Sequence, residues 1–217
     1  MIAIVAGGTG LVGSLLIEKL IADPEVEKVI SVSRRPLSHV NQKLSEVIVS
    51  DLAELGQANE ELKTQLKGDS YFCCLGTTIK AAGSKEKFKA VDHDAIVNFA
   101  KIAADHSAHS FQLVSSMGAS SNSSFFYNQV KGQTEEALQK LKLRSLTIFR
   151  PGLLIGDRKE FRLAEKLFIS VFQPLSKVLP ASLSKRVATD VSVLAEHMLQ
   201  SAKAAKPVLH RVEAGLI

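Results

Sequence analysis

The 217-residue sequence predicts an α/β fold: a doubly wound parallel sheet with helices on both faces and a small helical elaboration towards the C-terminus. Three observations predict it. Short β-branched or apolar runs alternate with helical patterns as far as Arg150. Several of these runs are continuously apolar, so both of their faces must be covered, as in a parallel sheet sandwiched by helices. After Arg150-Pro151-Gly152 the strand rhythm stops.

Six runs read as strands: Ile2-Ala3-Ile4-Val5, Val29-Ile30-Ser31-Val32, Val47-Ile48-Val49, Tyr71-Phe72-Cys73-Cys74-Leu75, Phe111-Gln112-Leu113-Val114 and Leu146-Thr147-Ile148-Phe149. Helices fill the gaps. Leu11, Leu15, Leu16 and Leu20 share a face that ends at Asp23-Pro24, and Ala95, Ile96, Phe99, Ala100 and Ala103 repeat the helical spacing. A third helix is expected from about Phe125 to Leu141. Asp157 to Ser184 reads as helix and loop, followed by an amphipathic segment, Val191 to Leu199, and a short strand near Val208. There is no internal repeat, and the Ser-rich run Ala119 to Ser124 is short enough for a surface loop. The expected organisation is one domain over 1–217, with its core to about 156 and the elaboration over about 157–190.

With 46% hydrophobic and 23% charged residues, the composition is that of a folded soluble globule and excludes disorder as the ground state. The 27 basic against 22 acidic residues give +5, which favours an anionic small molecule and falls short of a nucleic-acid binder. Cys73 and Cys74 stand side by side in an apolar run, offering neither a disulfide framework nor a zinc spacing, so a reducing, cytoplasmic location is expected. The first 20 residues lack a basic region and are interrupted by glycines, which reads as folded structure and not a leader. The most apolar later segment, Leu167 to Leu179, is broken by Gln173, Pro174 and Lys177, so no membrane helix is expected. The expected partner is a small molecule, with neither nucleic acid nor membrane, for a chain that is a monomer or homodimer.

The first strand leads directly into Gly8-Thr9-Gly10-Leu11-Val12-Gly13, a G-x-G-x-x-G that also reads G-x-x-G-x-x-G from Gly7. Strand, glycines and helix in this order let the backbone approach a pyrophosphate, whose charge then faces the positive end of the helix. That context predicts a Rossmann-type dinucleotide-binding fold. About 20 residues beyond Gly13, where an NAD-specific fold places an acid against the ribose, stand Ser33, Arg34 and Arg35. Two guanidiniums suit a 2′-phosphate, so NADP(H) is the preferred cofactor, with NAD(H) accommodated. Asp51-Leu52, Gly76-Thr77-Thr78 and Ser115-Ser116 fall at further strand ends on the same carboxyl edge. Asp51 either accepts a bond from the adenine amino group or caps the next helix.

Tyr127 and Lys131 form Tyr-x-x-x-Lys, one helical turn apart on a common face. A neighbouring ammonium stabilises a phenolate and brings proton transfer towards neutral pH. Ser116, after the fifth strand, can hydrogen-bond a substrate carbonyl.

These residues resemble the short-chain dehydrogenase/reductases, whose active site combines a Ser after the fifth strand with Tyr-x-x-x-Lys. The matching positions are Ser116, Tyr127 and Lys131. More narrowly, Phe72-Cys73-Cys74-Leu75-Gly76-Thr77-Thr78, Ser115-Ser116-Met117-Gly118-Ala119, Tyr127-Asn128-Gln129-Val130-Lys131-Gly132 and Phe149-Arg150-Pro151-Gly152 are similar to the atypical branch that includes the Tat-interactive oxidoreductase. The resemblance implies that Tyr127 exchanges the substrate proton, that Lys131 also holds the nicotinamide ribose, and that Pro151, Gly152 and Leu153 lie against the carboxamide. Many members carry a proton-relaying Asn on the helix before the fifth strand, where Asn98 stands, its direction open. The implied activity is NADP(H)-dependent reduction or oxidation of a small carbonyl or alcohol. The alternatives are a non-catalytic NADP(H)-sensing protein and an epimerase or isomerase with tightly bound cofactor. The elaboration after Asp157 is shorter than the sugar-binding lobe of nucleotide-sugar epimerases, which disfavours a large nucleotide-sugar. Asp157 and Arg158 either border the substrate pocket or form an ion pair. His106 and His109 lack further ligands for a metal, and Lys80, Lys85, Lys87 and Lys89 read as a solvated helix start.

Overall fold

The strands of the main sheet all run in one direction, so no two neighbours are joined by a tight hairpin. The computed structural model describes residues 1–37, 40–155, 188–205 and 209–217. In chain order the strands are β1 (Ile2–Ala6), β2 (Lys28–Ser33), β3 (Leu44–Ile48), β4 (Ser70–Cys73), β5 (Ser110–Val114), β6 (Leu146–Arg150), β7 (Leu153–Ile155), β8 (Ala188–Asp190) and β9 (Leu209–Glu213). Seven of them pair in parallel in the order β3-β2-β1-β4-β5-β6-β9, while β7 and β8 form a separate parallel pair. The chain winds outwards from β1 in one direction and from β4 in the other. The connections after β1 and β4 therefore diverge, leaving a crevice at their carboxyl ends, where open parallel sheets bind ligands.

The helices are α1 (Leu11–Ala22), α2 (Glu60–Gln65), α3 (Ile79–Ala82), α4 (Lys85–Lys89), α5 (Ile96–Asp105), α6 (Phe126–Gln139) and α7 (Val191–Ala204). A 3-10 turn spans Leu52–Gln57, and a π-helical turn, Ala90–Ala95, joins α4 to α5. Successive side chains of β1 point to opposite faces, and both are buried. Ala3 and Val5 pack with Leu16, Leu20, Leu194 and Met198 of α1 and α7, whereas Ile4 and Ala6 pack with Tyr71, Phe99 and Phe111 on the α5 side. This two-sided burial is why the strand runs are continuously apolar. The ion pairs between α1 and α7, Lys19–Glu196 and Lys203–Asp23, both 3.0 Å, are partly exposed, so the apolar interface dominates their docking.

The architecture departs from the sequence expectation in three places. β3 begins at Leu44 and alternates in burial, as an edge strand does, so its apolar end Val47-Ile48-Val49 marks only part of it. Strand structure resumes after Pro151, because β7 and β8 are three residues each, too short to carry a period. The helices α2, α3 and α4 are short and are set by polar caps, Asn59, Thr78 and Ser84, more than by an apolar face. The expected elaboration over Asp157 to Ser184 lies outside the described residues, as does Val208, next to which β9 begins.

Leu16, fully buried between α1 and the sheet, tests this packing. Leu16→Ala is expected to lower the unfolding free energy by about 2–5 kcal/mol, read from urea denaturation; a loss below about 1 kcal/mol is inconsistent with the packed layer.

Candidate functional site

The turn between β1 and α1 is shaped by close approaches. Gly7 has φ +88°, and a Cβ there would lie 2.6 Å from the main-chain carbonyl of Cys74, at the end of β4. A Cβ on Gly13 would lie 2.2 Å from the Gly7 carbonyl oxygen. Any side chain at either point would drive the helix, the turn and β4 apart. Gly10 is the N-cap of α1, without a side chain to cap it, and the first turn of the helix carries no acidic residue. The N–H groups of Leu11, Val12 and Gly13 therefore have no intrahelical acceptor and add to the positive end of the helix dipole. Thr9 and Gly8 complete the turn; a Cβ on Gly8 would meet Ile17 and the Ser31 hydroxyl, a fully buried group without a hydrogen-bond partner among the described residues. This cradle fits an anionic diphosphate.

At the end of β2, the Ser33 hydroxyl donates to the Arg35 carbonyl at 2.6 Å and holds the bend. Arg34 and Arg35 are exposed, and neither makes an ion pair among the described residues. At the end of β3, Asp51 is exposed and Leu52 is buried as the first residue of the 3-10 turn.

The opposite wall of the crevice comes from α6 and the loops after β4, β5 and β6. Tyr127 is half-buried in the first turn of α6. Its ring lies 5.6 Å from that of Phe88, and its hydroxyl has no hydrogen-bond partner among the described residues. The Lys131 amine sits 6.0 Å from the centre of the Tyr127 ring. Ser116 is buried in the loop after β5, with its hydroxyl 3.5 Å from the Met117 carbonyl, a contact too long to hold it. Pro151 and Gly152 are buried alongside, Pro151 accepting from the Met117 N–H at 2.9 Å and Gly152 donating to the Thr189 hydroxyl at 3.2 Å. Leu153 opens β7.

Other expected site residues have side chains engaged elsewhere. Ser115 donates its hydroxyl to Glu135 at 2.6 Å, and Arg150 clamps the same buried carboxylate with two nitrogens, at 3.0 and 2.5 Å. Thr78 caps α3, its hydroxyl accepting from the Ala81 N–H at 2.9 Å. Asn98 does not reach Lys131: its amide lies where a Cβ on Gly56 would fall, 2.4 Å away, and it accepts from Lys101. Burial pushes the Cys73 thiol up to about 12, so it is no nucleophile at neutral pH.

The residue that sequence reasoning missed is Asp92. Its carboxylate is fully buried, with one oxygen 2.7 Å from the Lys131 amine and the other accepting from the Thr77 N–H at 2.9 Å. Burial pulls the Lys131 ammonium down, but Asp92, with Tyr127 and Cys73, outweighs it and holds the amine above the ordinary lysine range. The signal was available: Asp92 extends the apolar stripe of Ile96, Phe99, Ala100 and Ala103 back by one turn, and a lone acid on a buried stripe needs a partner.

A parallel sheet with an uncapped helix start at its switch point, and a Tyr-Lys pair on the same edge, defines a dinucleotide-binding protein of the short-chain dehydrogenase/reductase type. The chain belongs to the NAD(P)H-binding family, whose model matches residues 7–166. It is 34% identical over 171 residues to Protein HTATIP2 of Rattus norvegicus, covering 77% of this chain and 70% of that one. It is 38% identical over 159 residues to Protein FMP52, mitochondrial, of Meyerozyma guilliermondii, covering 73% and 67%. These relatives make it an atypical short-chain dehydrogenase/reductase-like, NAD(P)-binding protein. Its fold is similar to that of MoeE5 in complex with UDP-glucuronic acid and NAD, with a TM-score of 0.72 at 16% identity over 99% of this chain and 76% of that one.

The expected cytoplasmic location is overturned, since the Meyerozyma protein and three further relatives of similar name are named mitochondrial. Cys73 and Cys74 are both free, the first fully buried at the end of β4, so their pattern reports packing and not a compartment. Among the described residues no helix is long and apolar enough to cross a membrane.

Gly13→Ala places a methyl group on the Gly7 carbonyl. Calorimetry with NADPH should show affinity reduced at least about tenfold, or 1.4 kcal/mol; unchanged affinity would remove the turn from the binding site.

Proposed function

We propose that the protein is an NADP(H)-dependent oxidoreductase that interconverts a small carbonyl compound and its alcohol, using Ser116, Tyr127 and Lys131. One observation carries this reading: a phenol with no hydrogen-bond partner among the described residues stands one turn before a buried, charged lysine, on the sheet edge that bears the glycine turn. The glycine turn, from Gly7 to Gly13, would hold the cofactor's diphosphate. The bound nicotinamide supplies hydride exchange. The chain's own residues supply the rest. Ser116, whose hydroxyl is weakly held, orients the substrate oxygen by donating to it. Tyr127 passes its proton to that oxygen during reduction and recovers it during oxidation. Lys131 presents positive charge to the phenol, which favours the phenolate left behind. The resemblance adds a second task for Lys131, holding the nicotinamide ribose.

The choice of phosphorylated cofactor is supported by Arg34 and Arg35, two exposed guanidiniums at the end of β2 with no carboxylate on them among the described residues. A guanidinium grips a phosphate through paired, charge-assisted bonds, whereas a ribose hydroxyl offers it little.

Tyr127→Phe should abolish NADPH consumption across a panel of carbonyl substrates while NADPH affinity stays within about threefold, a change of under 1 kcal/mol. Retained turnover would take Tyr127 out of the mechanism, and an active wild type with no net NADPH consumption would mark an isomerase. Replacing both Arg34 and Arg35 by Ala should lower the ratio of NADPH to NADH affinity at least about tenfold; an unchanged ratio excludes them as the phosphate site.

A further inference from the structure

We propose that Asp92 is a positioning residue for the candidate catalytic pair: its carboxylate ties the Lys131 amine to the Gly76–Thr78 loop, so that the amine is held beside the Tyr127 phenol. The inference rests on the reading of Tyr127 and Lys131 as the working pair.

Asp92 is delivered by the π-helical turn Ala90–Ala95, a local widening of the helix that redirects side chains and recurs at functional sites. One ion pair and two hydrogen bonds fix it there. One carboxylate oxygen meets Lys131 at 2.7 Å, the other accepts from the Thr77 N–H at 2.9 Å, and the Asp92 main-chain carbonyl accepts from the Thr134 hydroxyl at 2.8 Å. Lys131 and Thr134 both belong to α6, so this helix is tied to Asp92 through side chain and backbone within one turn. Thr77 belongs to the loop after β4, where a Cβ on Gly76 would stand 3.6 Å from the Asp92 carboxylate and 3.7 Å from the Lys131 amine. The pair therefore borders the carboxyl edge of the crevice. Stability alone explains it poorly, because a buried ion pair is on average no more stabilising than apolar residues of the same volume.

Among the described residues, three groups face the Lys131 amine: Asp92 from the π-helical turn, Cys73 from β4 and Tyr127 from its own helix. Burial works against the ammonium, and the carboxylate 2.7 Å away is the largest influence in its favour. The sign follows. With Asp92 present, Lys131 keeps its proton past the ordinary lysine range, and the stabilisation by the charged pair persists until the pH rises through that elevated value. Without the carboxylate, burial prevails and the amine gives up its proton at lower pH. A neutral Lys131 no longer favours the phenolate, so activity is lost from the alkaline side.

The test compares Asp92→Asn, Asp92→Glu and Lys131→Met with the wild type. Nitrogen NMR of the lysine side chains follows the Lys131 amine in the protein without cofactor or substrate, its signal identified by its loss in Lys131→Met. In the wild type it should remain an ammonium to at least about pH 10. In Asp92→Asn it should discharge at least about two pH units lower, with the alkaline limb of the kcat profile moving in the same direction. Asp92→Glu, which keeps the charge, should retain the ammonium and most of the wild-type profile. A folded Asn variant whose Lys131 signal or kcat profile is unmoved overturns the proposal. So does a Glu variant in which Lys131 discharges as it does in Asn, which keeps the test decisive if the Asn variant fails to fold. Because the NMR measurement needs no turnover, failure of the oxidoreductase reading, seen as an active Tyr127→Phe, is separable from failure of this one.

Discussion

The start of α1 carries main-chain N–H groups that nothing within the helix can accept, and the chain leaves them so by placing Gly10 where a Ser, Thr or Asp would cap them. The rest of the site is arranged around this unpaired positive end. Gly13 lets the helix press onto the Gly7 carbonyl, and Gly7 lets the turn press onto the main chain of Cys74. That second contact fixes the outgoing end of β4, from which Gly76 and Thr77 run on towards Asp92. A line of backbone contacts thus links the glycine turn to the charged pair on the far side of the crevice. The side chain of Ser, Thr or Asp at the cap would take up one of these donors and so weaken the attraction for an anion.

α6 is secured by two ion pairs one turn apart, each with a buried carboxylate, and their designs differ. Glu135 is gripped in bidentate fashion by Arg150 and receives the Ser115 hydroxyl, the geometry in which an ion pair can offset the cost of leaving water. Lys131 meets Asp92 through a single amine contact and keeps donors to spare. The first pair fastens the helix to β6, and the second leaves cationic charge at the crevice. Phe88 completes the arrangement by packing on the rings of Phe126 and Tyr127, at 5.9 and 5.6 Å, which holds the phenol ring without touching its hydroxyl through a hydrogen bond.

The sheet was legible because burial on both faces imposes an unbroken apolar run, as in Ile2-Ala3-Ile4-Val5, and the glycine turn because strand, glycines and helix adjoin in sequence. The Tyr-Lys pair was legible because both residues lie on one helix. What escaped depends on neighbours brought from elsewhere in the chain. Ser115 and Ser116 are adjacent and equally polar, yet only the fold turns Ser115 to Glu135, twenty residues away. Asn98 has the residue type the family resemblance asks for, but its phase on α5 carries it to Gly56, and the acid six positions earlier meets Lys131 instead. β7 and β8 escaped because two three-residue strands far apart in the chain leave no periodic trace.

Arg150 does not give its whole guanidinium to Glu135; its remaining terminal nitrogen reaches Glu213 at 3.1 Å, at the end of β9. One cation is therefore shared between the helix bearing Tyr127 and the outermost strand. A displacement of that strand would pull on the same guanidinium, and so reach the helix that carries the phenol without approaching the substrate.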